Sequence, residues 1–280
     1  MSGITPPRIT QPDDLNRIHH ALDLAEQVLE PFTPGEIAAQ MKHGDDPLTA
    51  ADVAVDEALR AALPREGEGW LSEETADDPS RLERSRVWIV DPIDGTREFV
   101  MGIPEWCVSV ALVIDGVPVA GGILSVANGQ RIVGSVDDGV TLNGEPVSCT
   151  GRADIRGALV LASRSEVKRG EWSPFFAEPI AVRNMGSVAY KLGLVAAGLA
   201  DATWTLVPKN EWDVAGGAAL VAASGGTVMG LDYKPVRFNQ PKTLMNGFIA
   251  TAPGLAGATR SLIDELSEKA AGGREPQSSP

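Results

Sequence analysis

Residues 88–99 read Trp-Ile-Val-Asp-Pro-Ile-Asp-Gly-Thr-Arg-Glu-Phe. The apolar run Val87-Trp88-Ile89-Val90 has the length and side-chain types of a buried strand, and it stops abruptly at Asp91. Asp91 and Asp94 therefore leave one strand end together, into a turn that contains Pro92 and Gly95. Hard divalent cations take oxygen ligands in near-octahedral geometry. This turn offers two carboxylates with the Ile93 carbonyl between them, on a backbone restrained by Pro92. On spacing alone, a capped β-turn explains the same residues equally well, because Asp and Gly are common turn residues.

Upstream, Trp70-Leu71-Ser72 leads into Glu73 and Glu74. Before it, Thr49 and Asp52 are spaced to cap a helix that Pro64 stops. Further back, Asp13 or Asp14 opens a helix with Leu15, Ile18, Leu22, Ala25 and Leu29 on one face. Downstream, Val108–Ile114 reads as a second strand. Asp115-Gly116 and Asn143-Gly144 suit tight hairpin turns, which implies an antiparallel meander. After residue 157 the pattern alternates: a strand over Leu159–Ser163, a helix over Ser187–Leu199, a strand over Ala202–Leu206 and a helix beginning near Asp213. The expected organisation is an α+β subdomain over 13–156 and an α/β subdomain over 157–265, with flexible tails at 1–12 and 268–280.

A formal net charge of −14 without clustered Lys and Arg argues against a nucleic-acid polymer as partner, while a small anionic substrate remains compatible if cations neutralise the site. No apolar run approaches the roughly 20 residues of a membrane span. The start lacks a basic-then-apolar leader, so a cytoplasmic location without membrane contact is expected. Cys107 and Cys149 have no zinc or redox spacing. His19, His20 and His43 lie in no motif and are read as solvated or capping groups.

Acids elsewhere bear on the central turn. Taken singly, Glu73 is a loop carboxylate, Asp213 a helix-start acid favoured by the macrodipole, and Thr96 and Asp52 caps. Three motifs nevertheless occur in one order: Ser72-Glu73-Glu74, Asp91-Pro92-Ile93-Asp94-Gly95-Thr96 and Trp212-Asp213-Val214-Ala215-Gly216-Gly217. With them, residues 13–255 resemble the lithium-sensitive, metal-dependent phosphatases that include inositol monophosphatase, fructose-1,6-bisphosphatase and the 3′(2′),5′-bisphosphate nucleotidases. The resemblance implies a layered α/β/α/β/α sandwich. It also implies two or three Mg2+ ions, with Mn2+ as a substitute. Glu73, Asp91 and the Ile93 carbonyl would hold one ion, and Asp91, Asp94 and Asp213 another, with Glu73 also near a weaker third. Thr96 and Asp52 would orient the attacking water, which makes Asp52, Glu73 and Thr96 the expected catalytic residues. A homodimer is compatible with the family, and inhibition by lithium is expected.

The branch rests on finer features. Arg97-Glu98-Phe99, and the stretch 71–99 as a whole, resemble the bacterial bisphosphate nucleotidases of sulfate assimilation, whereas residues 185–201 are equally similar to inositol monophosphatases and histidinol phosphatases. The expected reaction is hydrolysis of the 3′-phosphate of adenosine 3′,5′-bisphosphate to AMP and phosphate. The alternatives are an inositol, sugar or histidinol phosphate as substrate, or a metal-dependent binding protein without turnover. For substrate contacts, the Gly95 and Thr96 N–H groups open a helix that suits a phosphate. Ser187 and Lys191 lie one helical turn apart, so Lys191 is placed to meet a second phosphate. A Ser cap with a snorkelling Lys explains that pair equally well. Arg164 matches a position near the adenosine or second-phosphate site, although a lone Arg is more often a surface charge. Lys42 and Asp46 fall near a mobile-loop position, but the local spacing departs from the family and they receive no role.

Overall fold

The computed structural model describes residues 9–41 and 47–272. In chain order the elements are α1 (Asp14–Leu29), β1 (Ala39–Met41), β2 (Pro47–Thr49), α2 (Ala50–Ala62), β3 (Gly69–Ser72), β4 (Arg86–Asp94), α3 (Thr96–Val100), β5 (Cys107–Ile114), β6 (Val117–Ser125), β7 (Gln130–Ser135), β8 (Gly139–Leu142), β9 (Glu145–Val147), β10 (Leu159–Ser163), α4 (Arg164–Lys168), β11 (Ala181–Met185), α5 (Val188–Ala196), β12 (Ala202–Thr205), β13 (Lys209–Asn210), α6 (Glu211–Ala223), β14 (Thr227–Met229), β15 (Leu244–Met245), β16 (Phe248–Thr251) and α7 (Ala256–Gly272). Lys42, His43 and Asp46 lie outside the described residues.

A seven-stranded sheet runs β3-β4-β5-β6-β7-β8-β9, parallel between β3 and β4 and antiparallel onward, so the expected meander is present. Its turns at Asp115-Gly116 and Asn143-Gly144 place both central residues at positive φ, as a type I′ hairpin requires. A five-stranded sheet runs β11-β10-β12-β16-β14, with β10 parallel to β11 and β12 and β16 antiparallel to its neighbours.

Helices α1 and α2 cover one face of the first sheet, burying Ile18, Leu22, Val55 and Leu59 against Trp88, Val90 and Val110. Helices α5 and α6 fill the space between the two sheets, with Leu192, Val195, Val214 and Leu220 in a core that also takes Val113 and Phe248. Helix α7 covers the outer face of the second sheet through Leu262, Ile263 and Leu266, beside Trp172 and Trp204. The protein is therefore the α/β/α/β/α sandwich that the resemblance implies.

Close packing of α6 on the first sheet needs small residues on both sides. A Cβ on Gly121 would lie 2.5 Å from the Gly216 carbonyl, and one on Gly216 2.5 Å from Ser109 Oγ. This contact fixes where the first turn of α6, and with it Asp213, meets the sheet.

Several expectations are corrected. Strand β4 does not stop at Asp91: pairing with β5 resumes at Asp94↔Cys107 after Asp91↔Ser109, so the Asp-Pro-Ile-Asp segment is an irregularity within a strand and not a turn beyond one. Helix α5 ends at Ala196 rather than Leu199, because Gly198 at φ 70° turns the chain and Leu199 N–H returns to the Leu194 carbonyl at 2.9 Å. Strand β12 ends one residue early, at Thr205. At the amino end, Ile9 and Thr10 are not loose, since both N–H groups donate to Asp137 Oδ2. At the carboxyl end, α7 continues through Gly272, into the segment expected to be a tail.

Candidate active site

The irregularity in β4 explains how its two acids cooperate. In a regular strand, residues three apart face opposite sides. Between Asp91 and Asp94, two residues on β4, Pro92 and Ile93, oppose one on β5, Val108, and the extra residue re-aims the second side chain, as a β-bulge does. Strand β3 is parallel to β4 with Ser72 level with Val90, so the residue that follows β3, Glu73, arrives beside Asp91. Asp213 enters from the first turn of α6. One oxygen from each of Glu73, Asp91 and Asp213 falls within 4.8 Å of the others.

Asp91 is 1% exposed, and neither of its carboxylate oxygens has a hydrogen-bond partner. Burial, followed by the charges of Glu73, Asp94, Asp213 and Asp52, pushes its carboxyl well above the usual range. Burial likewise raises Asp213, aided by Asp94 and Glu73. Burial raises Asp94 too, against the hydrogen bond from Ser187 that opposes the shift. An unpartnered buried carboxylate among other acids is costly unless a cation meets it. An all-oxygen donor set suits a hard divalent ion, so the residues fit the metal that the motifs imply.

Most of these acids are anchored through one oxygen. Asp94 Oδ2 accepts from Ser187 Oγ at 2.6 Å and from the Ala189 N–H. Asp213 Oδ2 accepts the Asn210 N–H at 2.9 Å, in a capping box at the start of α6. Asp52 Oδ2 accepts from Thr49 N–H at 2.8 Å and Thr49 Oγ1 at 2.6 Å, while Oδ1 lies 3.1 Å from Thr96 Oγ1. Capping and an active-site approach are therefore combined in Asp52. Thr96 Oγ1 also donates to the Ile93 carbonyl at 2.9 Å. Gly95 is left-handed at φ 99°, and a Cβ there would stand 3.0 Å from the Glu105 carbonyl, so glycine is required by its neighbours before any phosphate arrives.

Glu73, Asp91, Asp94, Gly95, Thr96 and Asp213 line a cavity of about 240 Å³ together with Ser187, Lys191 and Arg164, with Asp52 behind Thr96. Ser187 caps α5 and bonds Asp94 at once. Lys191 does not snorkel. It is 3% exposed and donates to the Ser187 carbonyl at 2.6 Å, and burial lowers its pKa to about 8. The helix that carries it is enclosed between two sheets, which leaves the ammonium only the cavity wall. Arg164 is half-exposed and paired with Glu105 and, at 3.7 Å, with Glu98.

Residues not singled out from sequence also take part. Asp56, one turn beyond Asp52 on α2, accepts from Ser72 Oγ and from Thr75 Oγ1, the latter at 2.5 Å, and so grips both sides of Glu73. The four-residue spacing from Asp52 was the available signal. Lys209 and Asn210 line the cavity without belonging to any motif.

A layered sandwich that gathers Glu73, Asp91, Asp94 and Asp213 into one cavity defines a metal-dependent phosphatase. The sequence profile of the inositol monophosphatase family matches residues 17–270, and the chain belongs to that family. It is 35% identical over 236 residues to an inositol-1-monophosphatase of Mycobacterium leprae, covering 79% of each chain. It is 34% identical to a 3′-phosphoadenosine 5′-phosphate phosphatase of the same organism, covering 74% of this chain and 77% of that one. The structure of the Thermotoga maritima IMPase superposes with a TM-score of 0.78 at 23% identity, covering 91% of this chain and 99% of that one, which shows a common fold. The protein is thus a phosphoric monoester hydrolase for small phosphorylated substrates, and the alternative of a binding protein without turnover gives way. No helix among the described residues is long and apolar enough to cross a membrane.

Proposed function

We propose that the protein is a Mg2+-dependent phosphomonoesterase that converts adenosine 3′,5′-bisphosphate to AMP and phosphate. The observation that carries the metal-dependent chemistry is Asp91, buried with both oxygens unpartnered among Glu73, Asp94 and Asp213. Glu73, Asp91 and the Ile93 carbonyl would hold one ion and Asp91, Asp94 and Asp213 a second, with a third near Glu73 and Mn2+ as a substitute. When bound, such ions neutralise phosphate charge, acidify water and stabilise the departing alkoxide.

The protein's own groups supply the rest. Thr96 Oγ1 has one proton and two acceptors in reach, the Ile93 carbonyl at 2.9 Å and Asp52 Oδ1 at 3.1 Å; with the proton turned to Asp52, Thr96 Oγ1 accepts a hydrogen bond from the attacking water and the Asp52 carboxylate takes up the proton passed along. The Gly95 and Thr96 N–H groups face the scissile phosphate, while Ser187, Lys191 and Arg164 meet the remainder of the substrate. The division at residue 156 belongs to the same proposal, with Asp213 and Lys191 brought by the second part. A cytoplasmic location, a homodimer and inhibition by lithium complete it.

Buried Lys191 on the cavity wall and the relative named as a 3′-phosphoadenosine 5′-phosphate phosphatase support the nucleotide reading. The relative named as an inositol-1-monophosphatase favours inositol phosphate as a second reading. Phosphate release with Mg2+ from adenosine 3′,5′-bisphosphate, inositol 1-phosphate, histidinol phosphate and fructose bisphosphate separates them. The nucleotide is expected to give the highest kcat/KM, and a higher value for any of the others overturns the assignment.

A further inference from the structure

The cavity contains a cation that the motifs do not use. Lys209, on β13 just before α6, lines it together with the carboxylates. Its ammonium pairs at 3.2 Å with Glu166 Oε1. Glu166 is 1% exposed and fixed in place: Thr205 Oγ1 donates to Oε1 at 2.5 Å and Trp172 Nε1 to Oε2 at 3.2 Å. Trp172 is in turn stacked on Trp204, with ring centroids 5.1 Å apart. Lys209 is therefore held by a carboxylate that cannot reorient. An ammonium has three donors and this pair occupies one, which leaves two for the cavity.

Its tether assigns it to one wall. Glu166 belongs to α4, whose start contributes Arg164 and Ser165 to the cavity, whereas the acids that fit the metal come from β3, β4 and α6. Arg164 on the same wall is already paired with Glu98 and Glu105. Lys209 is thus tied to the wall that α4 builds, where Arg164 already has carboxylate partners.

We propose that Lys209, positioned by Glu166, binds a second anionic group on the leaving group, and so makes the enzyme prefer bisphosphorylated over monophosphorylated esters. The inference rests on the phosphatase reading above and deepens it. The competing role for Lys209 is simply to neutralise a buried Glu166.

The test compares kcat/KM in two matched pairs: adenosine 3′,5′-bisphosphate with adenosine 3′-monophosphate, and inositol 1,4-bisphosphate with inositol 1-phosphate. A charge-assisted contact of this kind is worth roughly a tenfold preference, so Lys209→Met should lower the bis-to-mono ratio by about that factor, mainly through KM. Lys209→Arg should restore most of it. Because Lys209→Met leaves Glu166 buried without its counter-charge, the double variant Lys209→Met/Glu166→Gln is measured in parallel and should lose the same preference. An unchanged ratio in the folded double variant overturns the proposal. If the unaltered protein hydrolyses none of the four esters, the phosphatase reading is what fails. Equilibrium dialysis of the two adenosine ligands then decides on Lys209, by whether the variant loses the preference.

Discussion

Replacing Asp56 with Ala separates positioning from ligation, because Asp56 sits behind Glu73 without belonging to the acidic cluster. Its two oxygens hold Ser72 on one side of Glu73 and Thr75 on the other, and the side chain is 6% exposed. Removing both bonds costs about 2–4 kcal/mol, since hydrogen bonds to a charged acceptor contribute about 1.5–3 kcal/mol each and the freed hydroxyls recover part of that through water. The functional effect has a separate scale: partners that orient a metal-binding carboxylate typically influence affinity by about 10–100-fold. The expected result is a lower melting temperature, a Mn2+ affinity by electron paramagnetic resonance reduced by about 10–100-fold, and a matching rise in the Mg2+ concentration for half-maximal turnover. Asp56→Asn keeps one acceptor and should fall between the two. Loss of stability with unchanged Mn2+ affinity would refute the claim that Asp56 aims Glu73.

Three further outcomes follow from the same geometry. Asp91→Asn removes a buried carboxyl that Glu73, Asp94, Asp213 and Asp52 all repel, so at pH 8 without metal the variant should be more stable than the parent by about 1–3 kcal/mol, and calorimetry should show no further gain on adding Mg2+. Asp94→Asn should lower kcat/KM by about a thousandfold or more with an unchanged circular dichroism spectrum, and near-normal turnover would contradict its role. Burial pushes Glu68 upward, yet hydrogen bonds from Arg17, Trp88, Arg86 and the Arg65 N–H hold it at about 2. Its folded pKa lies below the unfolded one, so its stabilisation is present above about 4.5 and lost as pH falls toward about 2. Glu68→Gln should cost about 2 kcal/mol at pH 7 by urea unfolding, a figure already reduced for solvent screening, and should flatten acid unfolding across that window.

Local chemistry was the legible part of this protein. The Thr49/Asp52 capping box, the two hairpin turns and the amphipathic α1 each depend on residues within a few positions of one another. The adjacency of Glu73 and Asp91 depends on parallel pairing across an intervening segment, and no spacing rule reads that register. It came only from the order of motifs. The β4 irregularity was missed for the same reason, since it exists only relative to β5. The snorkelling alternative for Lys191 fails because Val188-Ala189-Tyr190-Lys191-Leu192-Gly193-Leu194 has no polar face, so a lysine in this helix has no solvated side to reach. Lys209 and Glu166 meet through the fold, and nothing near either in sequence marks the pair.

The anchors also distinguish the acids from one another. Asp94 is tied through Oδ2 to Ser187 and Ala189, and Asp213 through Oδ2 to Asn210, so each commits one oxygen to holding its own position. Asp91 commits neither, and is placed by the backbone of β4 alone. A carboxylate with both oxygens free, beside Asp94 and Asp213 that each have one oxygen committed, could offer an oxygen to each of two cations. This supports assigning Asp91 to both metals. The arrangement carries its own cost in the metal-free protein, where the central carboxylate has nothing to offset its burial. On the proposed reading, metal binding would offset the burial of Asp91 and so favour the folded state.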